Sequence, residues 1–232
     1  MYQEKLDMLL DKYAVSAAAK MADPCAVTID GTEYRLLSHR FERRFTELRK
    51  LLHDGTLTGV SAIRCGRITD ARTPLAALIR RELDICRFLS GHEIVSVAVF
   101  ANGDRAANLI AVLDNEVVCS LEVANTLPEG AAPIDKHEVI SARGLACDRV
   151  VDTQIPQQSI YLYADSSEAY TDVDFELYGL TIDQIAQVRC AFAALKNPAL
   201  LDDMAAQSAR LDKLTALALE SAATGKKLTV EG

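Results

Sequence analysis

The sequence predicts an α+β protein in which a large, mostly antiparallel β-sheet carries its helices on one face. Three β-rich runs, 94–101, 105–113 and 116–124, follow one another with the tight-turn pairs Asn102-Gly103 and Asp114-Asn115 between them. Such a meander makes neighbouring strands antiparallel. The segments before and after it carry apolar residues at helical spacing, and half of the 232 residues are hydrophobic, which is enough for a sizeable core.

The N-terminal segment 2–20 is predicted to be helical, because one of its faces is apolar and carries Leu6, Leu9, Leu10, Tyr13 and Ala17. Asp23-Pro24 ends this helix. The turn pair Asp30-Gly31 then predicts a hairpin between strands 26–29 and 34–37. We expect residues 1–33 to form an N-terminal helix and hairpin extension, and residues 34–232 to form the α+β domain.

Helices and strands alternate in the next part of the chain. Segment 40–53 is amphipathic, and Gly55 stands where a glycine commonly ends a helix. A strand is predicted over 57–68. Pro74 suits the first turn of the helix that follows, and Gly91 ends that helix.

After the meander, strands are predicted over 138–142, 145–153 and 159–163, and a helix over 181–195. Asn197-Pro198 then begins a long helix, 198–223, and a last strand covers 227–230. Residues 95–100 are apolar on both alternations, which is typical of a strand buried on both faces. A second copy of the chain is the predicted cover of the free sheet face, so we expect a homo-oligomer that associates through this face.

Composition restricts the classes of partner. The net charge is −8, and the excess lies in residues 117–232, which hold 17 acidic and 9 basic side chains. Such a chain has no electrostatic reason to bind nucleic acid or an anionic membrane. No apolar window is long enough for a transmembrane helix, and the acidic N-terminus is not a signal peptide. The six cysteines are scattered, so we expect reduced thiols and a cytoplasmic location.

Several stretches resemble segments of one known family in order and spacing. They are Arg40-Phe41 followed by 45–55 (FTELRKLLHDG), then 83–91 (LDICRFLSG), 140–145 (ISARGL) and 221–230 (SAATGKKLTV). The chain therefore resembles the glucose-fructose oxidoreductase/inositol dehydrogenase (Gfo/Idh/MocA) family over residues 34–230. The resemblance implies the C-terminal, substrate-side domain of an NAD(P)-dependent sugar dehydrogenase.

Two departures from the family shape the functional prediction. The family begins with a Rossmann domain, whose Gly-rich turn holds the pyrophosphate, but this sequence contains no G-x-G and only about 35 residues precede the matching region. The family's helix motif D-x-x-x-H-x-x-D, aligned on Asp84, places Arg81 at the histidine and Ala77 at the first aspartate. Arginine has no acceptor atom for a proton. We therefore predict no catalytic residue and no bound cofactor.

The remaining site predictions concern ligands. Arg40, Arg44 and Arg81, with Asp84, are the candidate contacts of an anionic sugar derivative; the alternative is solvated helix faces on which arginines pair with Glu42, Glu47 and Glu82. No metal site is predicted, because the acidic residues 165–176 lack EF-hand spacing. The four histidines also lie far apart and near no cysteine pair.

Three functions remain open. The first is a non-catalytic protein that acts as an oligomer or accessory subunit. The second is half of a split dehydrogenase, completed by a separate Rossmann chain that docks on residues 1–40. The third is a sugar-acid binding protein.

Overall fold

The computed structural model describes residues 2–22, 25–148, 159–163, 167–171 and 176–230. The chain divides into two compact units, one made of residues 1–46 and 173–210, the other of residues 47–172 and 211–232. The predicted boundary between residues 33 and 34 falls inside the first unit, and that domain assignment stays a prediction.

The first unit contains a three-stranded antiparallel sheet and helices. Its elements are α1 (Tyr2–Lys12), β1 (Ala19–Ala22), β2 (Ala26–Ile29), β3 (Thr32–Arg35), a 3-10 turn (Ser38–Phe41), α4 (Ile182–Lys196) and the first half of α5 (Ala199–Thr224). The strands follow the order β1-β2-β3, and α4 packs against α1 and the 3-10 turn. A capping box at Thr181, completed by Gln184, begins α4.

The predicted first helix, 2–20, is too long. It ends at Lys12, and Ala14 beyond it adopts the left-handed region with φ 52°. Residues Ala19–Ala22 instead pair with Ala26–Ile29 as a β-hairpin. The run of alanines at 17–19 suits a helix by propensity, but backbone pairing with β2 overrides that preference.

The second unit is built on a nine-stranded sheet. Its strands are β4 (Val60–Asp70), β5 (Ile94–Asn102), β6 (Ala106–Leu113), β7 (Val118–Leu127), β8 (Ile134–Ser141), β9 (Gly144–Cys147), β10 (Ser159–Tyr163), β11 (Ser167–Thr171) and β12 (Leu228–Thr229). The spatial order is β11-β10-β9-β8-β4-β7-β6-β5-β12. Among the described strands, neighbours are antiparallel except β4 and β7, which are parallel. The predicted α+β class with a mostly antiparallel sheet is confirmed. Of the predicted strand 145–153, the part beyond residue 148 lies outside the described residues.

Helix α3 (Leu75–Ser90) covers one face of this sheet by packing against β4, β6 and β7. The strands alternate accordingly. In β6, for example, Ala107, Leu109, Ala111 and Leu113 are buried. The other face carries Phe100, Ile110 and Val118, which are 68%, 42% and 40% exposed. Within the described residues, one face of the sheet is therefore covered by a helix and the other leaves these apolar side chains exposed.

The helix that follows the 3-10 turn, α2 (Arg43–His53), buries Leu48 and Leu51. Its Arg49 guanidinium lies 4.6 Å from the centre of the Phe88 ring on α3. Within the described ranges, no helix combines the length and the hydropathy needed to cross a bilayer.

Candidate functional site

Helix α3 carries an unusual number of buried charges. Pro74 precedes it in an extended conformation, and Gly91 ends it with φ 73°, its N–H donating to the Arg87 carbonyl oxygen over 2.9 Å. Four charged side chains of the helix are buried: Arg80, Glu82, Asp84 and Arg87. Charged side chains are rarely enclosed unless they have partners, so this helix is where the fold has assembled polar groups.

Glu82, His137 and Asp148 form the centre of this assembly. His137 on β8 lies with its Nε2 atom 2.9 Å from Glu82 Oε2, and its Nδ1 atom 2.6 Å from Asp148 Oδ2. The His137 backbone N–H also donates to Asp148 Oδ1 over 2.7 Å. The side chains of Glu82 and His137 are completely buried, and that of Asp148 is 1% exposed. The three residues thus join α3, β8 and the end of β9 through one hydrogen-bonded chain.

The charges of neighbouring side chains decide the protonation of His137 and Glu82. Burial would lower the pKa of His137, but the negative charges of Asp148 and Glu82 outweigh burial and raise that pKa to about 10. Burial would raise the pKa of Glu82, but the charges of Arg81 and His137 lower that pKa to about 2. The network therefore holds an imidazolium between two carboxylates near neutral pH.

Two arginines extend the network. Arg81 donates from Nη1 to Glu82 Oε1 over 2.5 Å, and its Nη2 lies 4.0 Å from Asp135 Oδ2. Arg67 on β4 donates to both Asp135 oxygens over 2.9 and 3.0 Å. The register pairs Arg67 with Asp135, so both side chains point to the same covered face. Acidic and basic groups thus alternate along the buried surface beneath α3.

A group of thiols borders the network. Cys65 on β4 lies opposite His137 in the register, and its Sγ is 3.7 Å from Cys86 Sγ on α3. Hydrogen bonds with Cys119 and Cys65, together with burial, raise the pKa of the Cys86 thiol. Donor atoms of Cys65, Glu82 and His137 all lie within 4.8 Å of one another. This grouping follows from strand pairing, and no sequence spacing indicated it.

Each unit contains two of the four predicted ligand contacts. Arg40 and Arg44 belong to the first unit. Arg40 is half-buried, and Arg44 is buried with its Nη2 atom 2.6 Å from Glu42 Oε2. Arg81 and Asp84 lie on α3 in the second unit, where Asp84 Oδ1 is 3.5 Å from Arg87 Nη1.

The alternative pairing of arginines with glutamates is formed at Arg44–Glu42 and at Arg81–Glu82. The first pair is buried, and in the second Arg81 is half-buried against a buried Glu82, whereas the prediction placed these pairs in solvent. A role of Arg40, Arg44, Arg81 and Asp84 in sugar-acid binding stays a prediction.

No protein-family model and no curated protein matches the sequence. Structural comparison is informative. Levoglucosan dehydrogenase in complex with NADH and levoglucosan superposes with a TM-score of 0.68 at 13% identity, over 84% of this chain and 65% of that one.

Two further solved structures match in the same way. An inositol dehydrogenase homologue from Azotobacter vinelandii, complexed with NADH and myo-inositol, gives a TM-score of 0.64 at 10% identity, over 85% of this chain and 64% of that one. An oxidoreductase domain protein from Kribbella flavida gives 0.64 at 12% identity, over 84% and 65%.

These comparisons establish the fold. Over 84–85% of its length, the chain shares the fold of these levoglucosan and inositol dehydrogenase structures. It spans just under two thirds of the length of these neighbours.

Proposed function

We propose that this chain is a non-catalytic, self-associating subunit built on the dehydrogenase fold. The proposal rests on the residue that α3 carries at one position and on the burial of the histidine bonded to this helix. At the position where the resembling family has a histidine, Arg81 is held against Glu82, and the histidine that bonds to this helix, His137, is completely buried. A dehydrogenase needs a proton acceptor within hydrogen-bond reach of the substrate hydroxyl. Arg81 has no acceptor atom, and His137 is completely buried.

Self-association is supported by the open face of the nine-stranded sheet. The register places Phe100, Asn108, Glu122, Gly66 and Lys136 in one row across β5, β6, β7, β4 and β8. This row lines a concavity of about 690 Å³. The row combines apolar surface with one acidic and one basic side chain. In a two-fold dimer, Glu122 of one copy and Lys136 of the other supply complementary charges.

Nucleotide binding and turnover test the non-catalytic part of the proposal. We expect calorimetry of the purified chain to show no saturable binding of NAD(H) or NADP(H). We also expect no reduction of NAD⁺ or NADP⁺ with levoglucosan, myo-inositol or a wider set of polyols. Saturable binding of either nucleotide, or turnover with any of these substrates, overturns the proposal. A cytoplasmic location accompanies the proposal, since none of the six cysteines, all of which the structure describes, forms a disulfide.

A second candidate is half of a split dehydrogenase completed by a separate Rossmann chain. It is favoured by the extent of the structural match, which covers 65% of levoglucosan dehydrogenase, a protein solved with NADH. Purification at native level from the source cells, followed by mass spectrometry, separates the two candidates. A stoichiometric companion with a Gly-rich βαβ unit that confers turnover on mixing favours the split enzyme. Recovery with copies of the same chain alone favours the non-catalytic subunit.

A further inference from the structure

We propose that Cys65, Glu82 and His137 form a buried site for one divalent transition-metal ion of the zinc type. The spacing of these residues in the sequence does not indicate a metal site, because the three come from separate elements, β4, α3 and β8. The proposal rests on donor geometry and burial, and it is independent of the function proposed above.

The three donors meet because of the sheet register. Cys65 and His137 are directly opposite on the antiparallel strands β4 and β8, so their side chains leave the sheet on the same face. Glu82 reaches them from α3, which packs on that face. The sulfur, carboxylate oxygen and imidazole nitrogen lie within 4.8 Å of one another. All three residues are at most 3% exposed, so the donors are shielded from solvent.

The surroundings hold the imidazole in a ligand orientation. Asp148 Oδ2 lies 2.6 Å from His137 Nδ1, which leaves Nε2 directed at Glu82. Histidine ligands commonly donate their second ring N–H to a carboxylate, which fixes the ring and strengthens it as a ligand. Arg81 donates to Glu82 Oε1, so the second carboxylate oxygen, Oε2, is directed toward His137. Asp148 and Arg81 thus act as positioning residues around the three ligands.

Cys86 borders the site: its Sγ lies 3.7 Å from Cys65 Sγ, but it does not belong to the group of three donors that lie within 4.8 Å of one another. Imidazole nitrogen and carboxylate oxygen on the same ion lie about 3.3 Å apart. The Glu82–His137 contact of 2.9 Å therefore widens by a few tenths of an ångström when the ion enters.

Ligand chemistry selects the class of ion. Thiolate and imidazole donors suit Zn²⁺ and its substitute Co²⁺, whereas Mg²⁺ and Ca²⁺ require oxygen donors. The ion takes the place of the proton that otherwise bridges Glu82 and His137, and the coordinating Cys65 thiol loses its proton. Because the donors are enclosed, we expect loading to accompany folding.

Cobalt binding during refolding tests the site. The full chain is unfolded with a chelator, freed of metal and refolded with Co²⁺ as the only metal. We expect one Co²⁺ per chain, a thiolate-to-cobalt charge-transfer absorption, and displacement of Co²⁺ by Zn²⁺. Cys65→Ala should lose that absorption, and Asp148→Asn should weaken Co²⁺ binding about 10- to 100-fold. Cys190→Ala is the matched control, because Cys190 is a buried thiol of the first unit.

Two outcomes overturn the proposal. One is a wild-type chain that regains its circular dichroism and retains no Co²⁺. The other is a Cys65→Ala variant that binds Co²⁺ with the affinity and spectrum of the wild type. If Cys65→Ala does not refold, Cys65→Ser replaces the thiol with a side chain of similar size and decides the same question.

Discussion

His137 is held by a carboxylate at each ring nitrogen, and this arrangement makes stability depend on pH. In the metal-free chain its pKa is raised from 6.5 to about 10, so its contribution is complete below pH 6.5 and is lost as pH rises toward 10. The pKa of Glu82 is lowered from 4.5 to about 2, so its contribution is present above pH 4.5 and is lost as pH falls toward 2. We expect the free energy of unfolding, measured with urea in the presence of a chelator, to be highest between pH 4.5 and pH 6.5, where both contributions are present. His137→Gln should flatten the alkaline side, and an unchanged alkaline side would contradict the raised pKa.

Removing the imidazole should expose how much the buried network contributes. His137→Ala leaves Glu82 and Asp148 facing each other in the interior without the charge between them. Breaking a buried ion pair in this way costs roughly 3–5 kcal/mol, so we expect a loss of that order in urea unfolding at pH 6. His92→Ala is the control, because His92 is 43% exposed and its solvent-screened pair with Asp114 should contribute far less to stability. Equal losses for the two variants would show that the network does not stabilise the fold.

At the scale of elements, one hydroxyl joins the last helix to the sheet. Ser221 on α5 is completely buried; it accepts from the Val99 N–H on β5 over 3.0 Å and donates to the Lys226 carbonyl oxygen over 2.6 Å. Ser221→Ala leaves two buried backbone groups without this partner, so we expect a loss of roughly 1–3 kcal/mol in thermal or urea unfolding. Thr224→Ala, in the last turn of the same helix and exposed, should change stability by less than about 0.5 kcal/mol. A Ser221→Ala chain as stable as the Thr224→Ala chain would remove this connection as a source of stability.

At the scale of the whole molecule, the open sheet face is where association should be measured. We expect the chain to sediment as an oligomer at micromolar concentration and the double variant Phe100→Glu/Ile110→Glu to sediment as a monomer, because two charges would be buried in the contact. Tyr178→Glu should leave the oligomer intact, since Tyr178 is 84% exposed in the first unit. A wild-type monomer at these concentrations would remove self-association from the proposed function.

Much of the local structure follows from short-range signals in the chain. Asn102-Gly103 turns β5 into β6, Gly91 ends α3, and the predicted helix 181–195 is observed as Ile182–Lys196. These signals act over a few residues, because caps and turns satisfy neighbouring backbone groups. Alternating and helical patterns likewise predicted the α+β class and the antiparallel meander. The helix 2–20 was wrong in length because the pairing of β1 with β2, a contact outside the helical window, overrides propensity.

The candidate site has a different origin. Cys65, Glu82, His137 and Asp148 are scattered along the chain, and they meet because β8 returns beside β4, β9 follows β8, and α3 covers that face. Their chemistry depends on burial as well as on identity, since a charged imidazole between two carboxylates arises where solvent is excluded. Local sequence patterns determine neither the order of the strands in the sheet nor which side chains become buried. The sequence by itself therefore determined which residue types are present. Their proximity, their protonation and the proposed capacity to hold an ion depend on the packing of the helix on the sheet.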